Sequence, residues 1–132
     1  MKVTTRFSLI LALGLFVALP LAAQKPADMV GTWVGPATLE GMSSSNDFTL
    51  ILEMQDGKLK GQISDQYGSL NDAPIEEITL EGKMFGFSVK AVGPQGQEAK
   101  MVLKMEIDGD SMKGTLEIPD MGMNGAWEAT KQ

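Results

Sequence analysis

The chain has 132 residues, a formal net charge of −6, and neither cysteine nor histidine. Those absences remove disulfide staples, thiol nucleophiles and the commonest general base, and so weigh against most catalytic chemistry. With Arg6 as the one arginine, the acidic balance also argues against nucleic acid and anionic membrane surfaces as partners.

Residues 1–23 read as a secretory signal peptide. Lys2 and Arg6 give a basic start, Phe7 to Leu21 is apolar apart from Ser8, and Leu21-Ala22-Ala23 offers small residues before Gln24. An uncleaved anchor is the rival reading, but the apolar run is short for a bilayer. No cysteine stands near the junction to carry a lipid. The domain expected after cleavage is 24–132, exported to the periplasm or beyond and without a stable membrane anchor. Losing Lys2 and Arg6 takes its formal charge from −6 to −8.

The rest of the chain alternates with period two. Met29 to Glu40 puts Gly31, Trp33, Gly35, Ala37 and Leu39 on one face, with Pro36 demanding a bulge or an interruption. A polar loop follows over Gly41 to Asp47. Phe48, Leu50, Leu52 and Met54 form the next inner face, and Asp56-Gly57 is a two-residue hairpin signal. Leu59, Gly61 and Ile63 face in on the return strand. Asp65 to Pro74 is the longest irregular stretch. Ile75 to Glu81 reads as a strand with Ile78 and Leu80 inward.

Lys83 to Val92 places Phe85, Phe87 and Val89 inward, and Gly93-Pro94-Gln95-Gly96 turns. Met101, Leu103, Met105 and Ile107 are inward on the next strand, and Asp108-Gly109-Asp110 turns again. Met112, Gly114, Leu116 and Ile118 follow, ended by Pro119, and Met123, Gly125, Trp127 and Ala129 align on the last strand. No segment sustains a helical period beyond a short turn near Pro26 to Met29.

An apolar residue recurs two places before glycine at Trp33-Val34-Gly35, Leu59-Lys60-Gly61, Met84-Phe85-Gly86 and Met112-Lys113-Gly114, with glycines 26, 25 and 28 residues apart. Each interval fits one two-stranded unit, and glycine within a strand marks sharp bending. Three glycines fall inward; Gly86 falls outward, which implies a register shift nearby or a different task. The fold class expected is all-β: a single antiparallel up-and-down barrel of about eight strands, with a two-sheet sandwich as the alternative. A solenoid is disfavoured because the copies are dissimilar. In a closed barrel the first and last strands adjoin, so Trp33 and Trp127 are expected to meet across the seam.

At Gly31-Thr32-Trp33 the chain resembles the calycin superfamily, which comprises lipocalins, fatty-acid-binding proteins and avidins. Asp56-Gly57-Lys58-Leu59-Lys60-Gly61 is similar to the second hairpin of avidins. The resemblance extends to small exported bacterial domains with a lipocalin-like barrel, and it covers Met29 to Lys131. It implies a lipocalin-like barrel, in a group whose function is mostly undefined. Lipocalins place a late basic residue over the first-strand tryptophan, and Lys131 is the residue here that can stand in. The chain departs from fatty-acid-binding proteins in having no arginine after Arg6, and from avidins in having two tryptophans in all.

Candidate chemistry is sparse, and the chain reads as not an enzyme, with no cofactor. Glu76 and Glu77 are strand neighbours that point to opposite faces. Ser43, Ser44 and Ser45 have no base to activate them. Asp108-Gly109-Asp110 offers too few oxygens for calcium and is explained as a hairpin. Met121 and Met123 are soft enough for Cu(I), but methionine more simply fills irregular core space.

Two readings remain. In one, the barrel binds a small apolar molecule, lined by Trp33, Phe48, Leu50, Phe87, Met101, Met105, Met112 and Trp127, with Tyr67 at the mouth and space left by the glycines, Ala37 and Ala129. In the other, the interior is filled and the protein is an interaction or inhibitor-like module acting through loops and surface. An eight-stranded barrel is at the size where either outcome is allowed.

Overall fold

The structure, a computed structural model, describes residues 25–93 and 95–132. The expected signal peptide lies outside the described residues. A 3-10 turn at Pro26–Met29 leads into β1 (Gly31–Leu39), β2 (Asn46–Gln55), β3 (Lys58–Asp65), β4 (Ala73–Pro74), β5 (Glu76–Glu81), β6 (Met84–Val92), β7 (Glu98–Asp108) and β8 (Ser111–Ile118). A second 3-10 turn, Pro119–Met121, precedes β9 (Met123–Lys131).

All pairings are antiparallel within one sheet of order β4-β3-β2-β1-β9-β8-β7-β6-β5. Its two edges, β4 and β5, are consecutive in the chain with only Ile75 between them, so the sheet curls until its edges adjoin. The result is a nearly closed all-β barrel, a shape consistent with a calycin-like fold. A single continuous sheet replaces the two-sheet alternative. The strand count is nine rather than eight, because the stretch expected to be irregular up to Pro74 ends in β4, which pairs with Gln62 and Ile63. Proline lacks an N–H for a ladder, and Pro74 accordingly sits on an edge strand.

Alternation decides what is inside. The middle of the inward series is buried, from Trp33, Leu50 and Ile63 to Leu103, Met112 and Trp127, whereas Met54, expected to face in, is exposed where β2 runs out beyond the core. The seam between β1 and β9 is the tightest part. Trp33 lies opposite Lys131, and Ala37 opposite Trp127. Pairing skips Gly35 and Pro36, while β1 itself runs unbroken. The interruption that Pro36 demanded is therefore confined to one side of the strand. A Cβ on Gly35 would collide with the Glu128 carbonyl oxygen, so only glycine lets the two backbones close there. The Trp127 indole donates to Gly35 O at 2.9 Å, giving that carbonyl a donor at the skipped position.

The two indoles do not face each other across the seam. The register sets them four residues apart, and Trp127 packs instead on Phe48, with ring centroids 5.7 Å apart. Trp33 closes one end of the barrel. Its indole donates to Met29 O at 2.9 Å, and Lys131 Nζ lies 5.3 Å from its ring centroid while donating to Asp28 O at 2.7 Å. Gly31, at φ +140°, leaves room for the aliphatic stem of Lys131. Lys131 thus takes the place that the resemblance assigned to it.

Each inward glycine of the repeat sits beside large side chains. Gly35 is opposite Phe48, Gly61 opposite Leu52, and Gly114 lies between Met105 and Trp127. The space they free is already taken. Gly86 faces outward, as its phase requires, and β6 and β7 pair without a break across it. The register shift lies in the partner strand: Glu77 and Ile78 of β5 together oppose Phe87. Ile75 and Ile78, three apart, can both turn inward only if one residue bulges.

Glu77 is that residue, at φ +52°, an unusual conformation for a side chain larger than glycine. Its carboxylate is held from two strands. Ser88 Oγ of β6 donates to Glu77 Oε1 at 2.5 Å, and Lys100 Nζ of β7 pairs with the same oxygen at 2.7 Å. Ser88 is the one buried polar side chain among the described residues.

Two tests follow from this geometry. Gly35→Ala and Gly114→Ala should each cost about 3 kcal/mol in urea denaturation, the upper range for overpacking, because backbone atoms occupy the added methyl's place. Gly86→Ala, which meets mainly the Thr79 hydroxyl, should cost about 1 kcal/mol or less. Equal losses at the three sites would refute close backbone approach as the cause.

The second test concerns pH. The Lys100 ammonium, and then the Ser88 hydroxyl, hold the Glu77 carboxyl below its ordinary value of 4.5, while Glu77 raises Lys100 above 10.5. Glu77 therefore contributes stability above pH 4.5 that is lost as pH falls through its lowered value. Lys100 contributes stability below pH 10.5 that is lost as pH rises through its raised value. Glu77→Gln should flatten both limbs of the stability–pH curve; unchanged limbs would show that the contact is idle.

Candidate functional site

The strands give the barrel two unlike ends. At one, the Pro26–Met29 turn, Trp33 and Lys131 form a floor. At the other, the C-terminal ends of β1, β3, β6 and β8 meet the N-terminal ends of β2, β7 and β9 around an open mouth.

The mouth is an apolar cleft of about 260 Å3. Ala37, Leu39 and Phe48 form one wall, and Ala91, Ala99 and Met101 another. Leu116, Ile118, Met121 and Met123 complete the circuit, and Leu70 reaches in from the β3–β4 loop. An engineered apolar cavity of about 150 Å3 stays dry and binds benzene, so this cleft admits a somewhat larger molecule.

The cleft stays open between the strands because inward residues shrink toward this end. On β6 the series runs Phe85, Phe87, Val89, Ala91, and on β7 Ala99 lies directly opposite Ala91. The mutually tilted rings of Phe85 and Phe87, with centroids 5.4 Å apart, fill the lower level, and the two alanines leave the upper one open.

The rim is held by Asp65. Its Oδ1 accepts from the backbone N–H groups of Gly68 at 2.7 Å and Leu70 at 3.1 Å, and its Oδ2 accepts from Asn46 Nδ2 at 2.8 Å. The loop also accepts from β6, with Val92 N donating to Ser69 O at 2.9 Å. These bonds carry the loop across the gap between the sheet edges and press Leu70 down until it is buried.

Of the residues expected to line a site, Phe48 and Met101 border the mouth. Trp127 lies behind Phe48. Trp33, Leu50, Phe87, Met105 and Met112 are packed in the interior below, each almost wholly inaccessible. Tyr67 is on the rim loop, 65% exposed, and its ring does not border the cleft. Ala129 lies opposite Met112 in the packed half. Sequence reasoning passed over Leu39, Leu70, Ala91 and Ala99. The readable signal was the step from large to small inward residues toward one end of β6 and β7.

The arrangement is poor in reactive groups. Among the described residues no cluster of three or more Asp or Glu is placed to hold a metal ion. Met101, Met121 and Met123 line the same cleft, where thioethers offer a soft and adaptable wall. Glu76 and Glu77 lie outside the barrel. Comparisons with protein-family models, curated proteins and solved structures found no match for this chain.

An open mouth over a packed floor predicts opposite responses to enlarged alanines. Ala91→Leu or Ala99→Leu should leave stability within about 0.5 kcal/mol, since the added atoms enter free space. Ala129→Leu should cost about 1–3 kcal/mol by overpacking. Thermal or urea unfolding of the three variants checks this, and a large loss at Ala91 and Ala99 would mean that the mouth is already filled.

Proposed function

We propose that this chain is an exported, non-enzymatic, lipocalin-like protein that binds a small apolar molecule in the mouth of its barrel. The observation that carries the reading is the cleft of about 260 Å3 with an almost wholly apolar wall, set above a fully packed floor. Burial of hydrocarbon supplies affinity in such a site, at about 25 cal/mol per Å2 of apolar surface removed from water. The Gly31-Thr32-Trp33 segment, with Lys131 over the indole, favours the lipocalin-like assignment. The basic, apolar and small-residue order of residues 1–23 favours export.

A second reading, docking of another protein on the loops, draws on the exposure of Met42, Tyr67 and Met121 at this same end. Methyl NMR separates the two. In protein labelled at the methionine methyl groups, titration with 1-octanol should move Met101, Met121 and Met123 saturably and leave Met29, Met105 and Met112 in place. Absence of a saturable shift, or equal shifts throughout, would count against ligand binding in the mouth.

A further inference from the structure

The barrel is polarised in charge as well as in packing. Of the nine lysines among the described residues, Lys25, Lys58, Lys60, Lys83, Lys104, Lys113 and Lys131 lie toward the closed end. The mouth half keeps Lys90 and Lys100, both on the outer wall, and Lys100 is engaged by Glu77. Both adjoin cleft residues in the chain, as do Glu40, Asp47, Glu98, Glu117 and Asp120, of which Asp47, Glu98 and Glu117 also alternate to the outer wall, so carboxylates outnumber ammonium groups around the mouth. Asp65 borders the cleft itself. Its hydrogen-bond partners are all neutral, and no lysine forms an ion pair with it.

From the apolar cleft and this rim together, we infer that the ligand of the mouth is an apolar molecule with a positively charged end, an amine or a quaternary ammonium, and not a carboxylate. The inference rests on the reading of the mouth as a ligand site. Its physical basis is charge complementarity. The hydrocarbon enters the cleft among Ala91, Ala99, Leu116 and Ile118, and the head stays at the rim, where negative charge is the local excess. A carboxylate head meets like charge there, with no arginine and no inward lysine among the described residues to receive it. The methionine side chains adapt to varied hydrocarbon shapes, so the head and not the tail sets the selectivity.

Three probes with the same eight-carbon tail test this: octyltrimethylammonium, 1-octanol and octanoate, titrated by calorimetry at neutral pH. At low ionic strength, about 20 mM, the ammonium should bind at least about tenfold tighter than octanoate, with octanol between them. The gap should shrink at about 0.5 M salt, where the Debye length falls to a few ångströms. The triple variant Asp47→Asn, Glu98→Gln, Glu117→Gln should narrow it at least about threefold. If octanol binds but octanoate equals or exceeds the ammonium, the head-group inference is overturned and the mouth remains a ligand site. A cationic preference indifferent to both salt and the triple variant overturns its assignment to the rim. Failure of all three probes to bind overturns the site reading and this inference together.

Discussion

The seam between β1 and β9 carries the structure. These are the first and last long strands, and their pairing joins β4-β3-β2-β1 to β9-β8-β7-β6-β5 in one sheet that curls into a nearly closed barrel without any disulfide. The two backbones come so close at Gly35 that the Glu128 carbonyl occupies the space of a side chain. Pro36 removes a donor at the same place, and the Trp127 indole supplies one to Gly35 O. Backbone proximity, a proline without an N–H and a side-chain donor to the Gly35 carbonyl thus meet within a few residues. At the end of the same seam Lys131 reaches over Trp33 to the Asp28 carbonyl and fastens the N-terminal turn as a floor. With that end covered in this way, the apolar cleft lies at the other.

That opening follows from side-chain volume. The inward glycines do not create it, because Phe48, Leu52, Met105 and Trp127 use the room they leave. Alanines at the far ends of β1, β6 and β7 create it instead. The loop from Asp65 to Leu70 shapes the rim, since the Asp65 carboxylate collects its backbone donors and fixes its course. Charge follows the same division, with most lysines near the floor and the carboxylate excess around the mouth. The barrel therefore has one end covered by the N-terminal turn and one acidic, apolar-lined end.

Much of the barrel was legible in the sequence. Period-two alternation located the eight long strands, and Asp56-Gly57, with both residues at positive φ, turns where expected. The outward phase of Gly86 was also readable. Its cause was placed one strand away: the three-residue step from Ile75 to Ile78 shows that β5 bulges at Glu77. Strand β4 escaped notice because two residues ending in proline carry no alternation. The candidate site was less legible. Every inward residue looks equivalent along a strand, so Leu50, Phe87 and Met105 were as eligible as Phe48 and Met101.

By itself the sequence determined the fold class, the inward and outward faces, the neighbouring of the first and last strands, and the poverty of reactive groups. These are local or compositional properties, set by side-chain alternation and by which residue types are present. Tertiary structure alone decided the register that separates the two indoles, the occupation of the glycine spaces, and the end at which the barrel stays open. Those depend on which side chains from different strands share a level, and that level is fixed only when the sheet closes and each strand's tilt and offset are set by its neighbours.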